Sequence, residues 1–530
     1  MSEIKISTDV EDHMIKASSA IKAPRTKHPA QIEDHSFTGV QPANGAKDGR
    51  PRIESRAEQI PTGEDLEVPA GGIASDDFDL SHDALALELG HRSWDHNARF
   101  VATWGRWLFW DGTRWKKDET LDHMTRTRSY LRTRAEELQD WATRKTSAME
   151  VEEGRKFKDW AHNQARMLRN KTTVAALEAM AQSNPGSVAR AGDFDANLLT
   201  IGTPGGTVDL RTGTLRASRR DDMITKMVAV APAHVGAVPA LWLRFLDEVF
   251  RGDQEIIRFM QVAAGYALTG LTTEHKLLFL HGTGRNGKST FLDVLQWLWG
   301  DYSRRAPAQT FLHSQTSQHP TDIAGLQGAR LVVGSELPKG KTWDEAVIKD
   351  LTGGEKQTAR FMRGDFFDFM PQLTLMIAGN NMPSFRGVDE AIRARVVLVP
   401  FTVTILAAQR DQSLPAKLRA EAPAIMRWAI DGAKRWLEDG LRVPDSIAAA
   451  SQEYFDDEDT LGQFLTDETV PAQTGSFISA ADLHQRFVQW CHAQGLQEWT
   501  QRTLVKELKT RGFAEMRRTG SRGFQGLGLR

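Results

Sequence analysis

Residues 277–302 read LLFLHGTGRNGKSTFLDVLQWLWGDY, and within them glycines, a lysine and a serine stand at fixed intervals. Gly282-Thr283-Gly284-Arg285-Asn286-Gly287-Lys288-Ser289 fits G-x-x-x-x-G-K-[ST] without a gap, and Thr290 follows at once. Glycines let the backbone curl so that successive N–H groups point inward at phosphate oxygens. A helix beginning near Lys288 would add its positive dipole end. Lys288 would place a charge on the β- and γ-phosphates, and the Ser289 hydroxyl could ligate Mg²⁺. Gly282 to Thr290 are therefore the expected nucleotide cradle.

A cradle alone does not hydrolyse; a carboxylate beside the metal and a group that positions water are also needed. In ARLVVGSELPKG, Glu336 follows the strand-like Leu331–Val333. The carboxyl ends of parallel strands face the ligand crevice, so Glu336 is expected to polarise water and to stand near the metal. In QLTLMIAGNNMP, Asn380 is placed to sense the γ-phosphate or its water, although Asn-Asn is also ordinary turn chemistry. FRGVDEAIRARVVLVPF supplies Arg386, Arg393 and Arg395, any of which could reach a neighbouring subunit's nucleotide as the γ-phosphoryl departs.

These residues need elements to hold them. Leu277–Leu280 is short, apolar and bounded, as a buried strand should be, and strand-like and helical runs alternate to about residue 402, which implies a parallel sheet. Residues 236–402 form this expected core, opened by helices around LWLRFLDEVF and EIIRFMQVAAGYALTG. Upstream, residues 81–235 read as an α+β unit: a hairpin in FVATWGRWLFWDGTRWKKDE turning at Asp111-Gly112, a helical stretch, and two strands in LLTIGTPGGTVDLRTGTLRAS. Residues 1–80 are polar, without apolar periodicity, and read as a linker-like arm. Helices fill 403–468, and 469–530 read as helix, helix and a β-hairpin wing.

The chain's formal net charge is only −2, so any nucleic-acid contact must be local. Lys339, Lys341, Lys349, Lys356, Arg360 and Arg363 cluster in one short stretch. Residues 500–530 hold eight Lys/Arg, among them Arg502, Lys506, Arg517, Arg518 and Arg522, against Glu507 and Glu515. Cations on a hairpin or wing bind a phosphate backbone without reading sequence.

The phosphate loop, the Ser-Glu strand end, LTGGEKQTARFMRGDFFDFMPQ and AGNN…DEAIRAR…PF, in that order, resemble the superfamily 3 helicases. The set is most similar to the helicase half of phage and plasmid primase-helicases and of the poxvirus primase-helicase, with WLFWDGTRW and GTVDLRTGTL matching the domain before it. The resemblance implies an AAA+ P-loop core, a C-terminal winged helix, and a homohexameric ring with ATP and Mg²⁺ bound between subunits. It places Lys288 and Ser289 in the phosphate loop, Glu336 in the acidic motif and Asn380 in the sensor. Lys349, Gly353, Gly354, Lys356, Arg360 and Arg363 fall in the segment that lines the DNA channel. Relatives commonly carry a tryptophan and paired arginines where this chain has Arg393-Ala394-Arg395. Arg395 is then the first candidate for the trans finger and Arg393 its rival.

The implied function is an ATP-driven helicase of phage, plasmid or prophage replication that acts on single-stranded or forked DNA. The alternative is a DNA-bound ATPase that loads a replication partner without unwinding. Primase activity is not expected of this chain, because DDFDL (76–80) is an acidic cluster with no core around it, and a separate primase or initiator would supply priming. A lone cysteine, Cys491, excludes intramolecular disulfides and suits a reducing host cytoplasm. No apolar run approaches the ~20 residues of a membrane span, and the opening lacks the apolar stretch of a secretory signal.

Overall fold

Four apolar runs, LLFLH, LVVG, TLMIAG and VVLVP, are buried along nearly their whole length, which is the pattern of strands covered on both faces. A computed structural model describes residues 78–94, 96–314, 320–334, 338–385, 390–471, 476–518 and 520–530. In chain order its strands are β1 (Ala98–Val101), β2 (Arg106–Trp110), β3 (Trp115–Lys117), β4 (Thr200–Thr203), β5 (Gly206–Asp209) and β6 (Thr214–Arg216). The central sheet follows, with β7 (Leu277–His281), β8 (Ser303–Ala306) and β9 (Leu331–Gly334). A small hairpin of β10 (Gln357–Ala359) and β11 (Phe367–Phe369) precedes β12 (Thr374–Gly379) and β13 (Val396–Pro400). Last come β14 (Thr469–Pro471), β15 (Phe477–Ser479), β16 (Glu515–Arg518), β17 (Ser521–Gln525) and β18 (Leu527–Leu529).

The central sheet runs β13-β7-β12-β9-β8 with every pair parallel. Alternate residues feed opposite cores. Leu278, Leu280, Met376, Val397 and Val399 pack into one cluster, while Leu277, Phe279, Leu375, Ile377 and Leu398 pack into the other. The first cluster is covered by helices Ala240–Val249, Gln254–Thr269, Lys288–Trp299 and Ala422–Asp439. Tryptophan serves mainly as core: Trp94, Trp115, Trp242, Trp299 and Trp343 are all fully buried.

Where two strands were expected in LLTIGTPGGTVDLRTGTLRAS, an antiparallel sheet of three is found, β4-β5-β6. The extra strand exists because the chain reverses twice, at Pro204-Gly205 and again between Asp209 and Thr214, where Gly213 takes a left-handed conformation. Ile201, Val208 and Leu210 of this sheet join the same core as Trp242 and Leu278, so packing continues across residue 235. A buried guanidinium holds the seam. Arg330, just before β9, donates to the carbonyls of Leu198, Thr200 and Leu268 and lies 4.6 Å from the Tyr302 ring centroid. The C-terminal region has its own core of Phe464, Leu483, Phe487, Trp490, Leu504 and Phe524. Its order is helix Ala480–Gln494, helix Gln501–Thr510 and the β16–β17 hairpin, as the sequence led one to expect.

Candidate nucleotide site and nucleic-acid surfaces

The loop from β7 to helix Lys288–Trp299 is shaped by two close approaches. A Cβ on Gly282 would lie 2.2 Å from the Phe401 carbonyl oxygen, and one on Gly287 would lie 2.6 Å from Val249 Cγ1. Gly287 has φ +88° and caps the helix. Only glycine supplies that combination without strain. Asn286, which is 2 % exposed, donates from Nδ2 to the Phe401 carbonyl at 2.9 Å, tying the loop to the segment after β13. The sequence pattern treats Asn286 as a spacer, whereas the fold makes it an anchor.

Lys288 is 5 % exposed. Its Nζ donates to Gly282 O at 2.7 Å, Asn286 Oδ1 at 2.9 Å and Asn380 Oδ1 at 3.1 Å. All three acceptors are neutral. Burial lowers its pKa to about 8. A buried ammonium with dipolar partners and no anion among the described residues is an incompletely compensated charge, and a phosphate oxygen would complete it. The neighbouring His281 imidazole is pushed below its ordinary value, first by burial and then by the Lys288 charge.

Lys288, Ser289, Asp293, Arg305, Asn380 and Asn381 surround a cleft of about 380 Å³ at the carboxyl edge of the sheet. β12, which delivers Asn380, lies between β7 and β9, so its carboxyl end emerges beside the phosphate loop. β9 leads directly to Glu336, but Glu336 lies outside the described residues, as does Arg386. Ser289 is exposed at the cleft, which suits a hydroxyl ligand to a magnesium held mostly by phosphates and water. On the far side of the loop, Arg285, Gly287 and Thr290 share a second cavity of about 330 Å³ with Phe245, Ile405 and Leu414. Thr283 is exposed at the loop, and Gly284 has φ +102°, where an added Cβ would lie 3.8 Å from the Asn380 amide. Asp293, Arg305 and Asn381 were not singled out from the sequence; strand order brings Arg305 to the cleft, Asp293 follows Ser289 by one helical turn, and Asn381 adjoins Asn380.

The two rival arginines part company. Arg393 is held by carboxylates, 3.5 Å from Asp456 and 3.6 Å from Asp459, and its guanidinium lies over the Phe455 ring. Asp459 also pairs with Arg511 of the C-terminal region and caps helix Thr460–Glu468. Arg395 has no carboxylate partner among the described residues; it donates to Ala391 O at 2.9 Å and leaves its buried Nε without a partner.

The expected DNA contacts divide likewise. β10 and β11 form an antiparallel hairpin with Arg360, Phe361, Met362, Arg363 and Phe366 exposed at its tip. Arg363 carries a positive φ of 61° in the turn. The Arg360 guanidinium lies over Phe366 at 4.8 Å. Lys356 stands at the hairpin base, where Asp368 holds its ammonium at 2.6 Å. Lys349 lies on helix Glu345–Gly353; Gly353 ends that helix and Gly354 caps it with φ +71°, packed on Thr272, so both glycines serve the backbone. In the C-terminal hairpin Arg517 and Arg522 are directly opposite each other, both exposed, with Arg518 on the same strand as Arg517. Like charges so placed repel, and an anion between them would relieve that. Arg502 and Lys506 are exposed on helix Gln501–Thr510, while Lys509 pairs with Glu515.

Two family models match the chain: "D5 N terminal like" over residues 88–251, and a family of unknown function over residues 280–395. A protein of Acanthamoeba polyphaga mimivirus that carries the name "Putative helicase" is 23 % identical over 321 residues, 56 % of this chain and 33 % of that protein. A Frog virus 3 protein of the same description is 25 % identical over 274 residues, 47 % of this chain and 28 % of its own. The chain resembles the phage and viral primase-helicase family. It spans about a third or less of the curated relatives it matches. Among solved structures, the apo NrS-1 C-terminal region aligns with a TM-score of 0.36 at 12 % identity, covering 57 % of this chain and 78 % of the other. Among the described residues no helix is long and apolar enough to cross a membrane.

Proposed function

We propose that this chain is the ATPase motor of a replicative DNA helicase, with an AAA+ core that works as a ring. The observation that carries the reading is the Lys288 ammonium, buried among three neutral oxygens at the end of a gapless phosphate-loop motif and joined to Asn380 on the adjacent strand. Lys288 binds the β/γ-phosphates, the loop amides cradle them, and the cavity beside Phe245 and Ile405 receives the nucleoside. Magnesium, when bound through Ser289, would neutralise charge on the departing phosphoryl group. Glu336 orients water, and Asn380 shifts its amide from Lys288 toward the γ-phosphate. Arg395, with no carboxylate holding it among the described residues, reaches the nucleotide of a neighbouring subunit. The Arg360/Arg363 hairpin grips the DNA backbone in the channel, and the Arg517/Arg522 hairpin grips it at the fork.

ATP hydrolysis by the purified chain should rise on addition of single-stranded DNA, and a fork substrate should be separated in an ATP- and Mg²⁺-dependent way. DNA-stimulated turnover without any strand separation would instead favour the loader, for which the basic C-terminal hairpin is the supporting feature. Turnover indifferent to DNA would refute both.

A further inference from the structure

The cleft beside Lys288 contains a second cation that the phosphate-loop motif does not include. Arg305 is the penultimate residue of β8, the edge strand, and pairs in register with Val333 at the carboxyl end of β9. Its guanidinium reaches across to helix Lys288–Trp299, where NH2 donates to Asp293 at 2.7 Å and Nε to Gln296 Oε1 at 3.1 Å. Asp293 follows Ser289 by four residues on that helix, so both side chains lie on the face toward the cleft.

The pair is half exposed on both sides, 51 % for Arg305 and 60 % for Asp293. Such an exposed pair contributes little to stability, so the fold does not need it. A guanidinium has five donors in a planar fork suited to phosphate, and two of this one's nitrogens are engaged among the described residues. The described charged groups in the cleft are Lys288, Arg305 and Asp293. Lys288 is fixed at the loop by three hydrogen bonds, so Arg305, which lines the same cleft from the edge strand, is the other described cation available to the outer end of a triphosphate.

We propose that Arg305 is a γ-phosphate-binding residue contributed in cis, held ready at the cleft wall by Asp293. This rests on the nucleotide reading of the same cleft. Its consequence is discrimination: Arg305 strengthens binding of ATP but not of ADP, whose β-phosphate lies within the loop and the reach of Lys288. Asp293 is a positioning residue, restraining the guanidinium on the side the terminal phosphate enters.

The test is calorimetric titration of the full chain with a non-hydrolysable ATP analogue and, separately, with ADP, each with Mg²⁺. Arg305→Gln should weaken the analogue about tenfold or more, the scale of a lost charged hydrogen bond, and leave ADP within about twofold. Arg305→Lys should recover part of the difference, and Asp293→Asn should produce a smaller loss confined to the analogue. Equal weakening of both nucleotides, or none of either, would overturn the proposal and leave Arg305 as a partner of Asp293 only. Lys288→Ala separates this from failure of the underlying reading: if the unmodified chain binds neither nucleotide, or Lys288→Ala binds both as the parent does, the cleft is not a nucleotide site.

Discussion

Lys288 Nζ donates to Asn380 Oδ1 at 3.1 Å, joining the phosphate loop to the end of the adjacent strand β12. The two residues are 92 positions apart in sequence; Lys288 opens the helix after the loop that follows β7, and Asn380 directly follows β12. One hydrogen bond therefore links the group proposed to bind phosphate to the group proposed to sense it. Asn380→Ala should leave ATP affinity nearly intact while turnover falls about a hundredfold, the usual cost of one transition-state donor. Lys288→Ala should abolish both. Phosphate release beside calorimetric affinity distinguishes the two patterns, and an Asn380→Ala chain with parent turnover would remove Asn380 from the site.

The pKa of about 8 on Lys288 has a pH signature. Its folded value lies below the ordinary ~10.4 of an unfolded lysine. Between those values the folded chain without nucleotide binds fewer protons than the unfolded chain, so this group's contribution to stability rises as pH increases from about 8 to about 10. Phosphate binding needs the protonated form, so affinity moves the opposite way. ATP affinity should fall about tenfold between pH 7 and pH 9, and Lys288→Arg should flatten that dependence. A flat profile in the parent chain would mean that the ammonium stays protonated throughout.

Arg393 and Arg395 should fail differently. Removing Arg393 takes the cation from Asp456 and leaves Asp459 with Arg511 alone among the described residues, which loosens the junction, so Arg393→Ala should lower the melting temperature. Arg395→Ala should leave melting and nucleotide binding unchanged but stop hydrolysis. Mixing Arg395→Ala with Glu336→Gln subunits should restore some turnover at hybrid interfaces. No recovery at any ratio would argue against a finger acting in trans.

For DNA, the Lys356–Asp368 pair sets the order of effects. Lys356→Ala should change affinity for single-stranded DNA little, because its charge is already answered. Arg363→Ala, and Arg517→Ala with Arg522→Ala, should weaken binding on all sequences and reduce the salt slope by about one for each phosphate no longer neutralised. Fluorescence anisotropy across a salt series reads both quantities. An Arg363→Ala protein with the parent slope would mean that DNA is gripped elsewhere.

The phosphate loop and the parallel sheet were legible in the sequence because both are local codes. Glycine, lysine and serine at set spacing describe one turn of backbone, and short β-branched or apolar runs bounded by polar residues describe buried strands. The same reasoning undercounted β4-β5-β6, where the strands are three or four residues long and the turns between them carry as much of the pattern as the strands.

What the chain alone determined is that a gapless phosphate-loop motif is present, where it begins, and that an amphipathic helix follows it. Tertiary structure decided which side chains meet there. Arg305 reaches Asp293 only because β8 is the edge strand beside β9, and Arg393 is withdrawn onto Asp456 and Asp459 only because the distant helix Asp445–Glu458 packs against β13, the strand just after Arg393. Charge pairing depends on distances of a few ångströms between residues far apart along the chain. Sequence spacing measures the chain, and only the fold measures those distances.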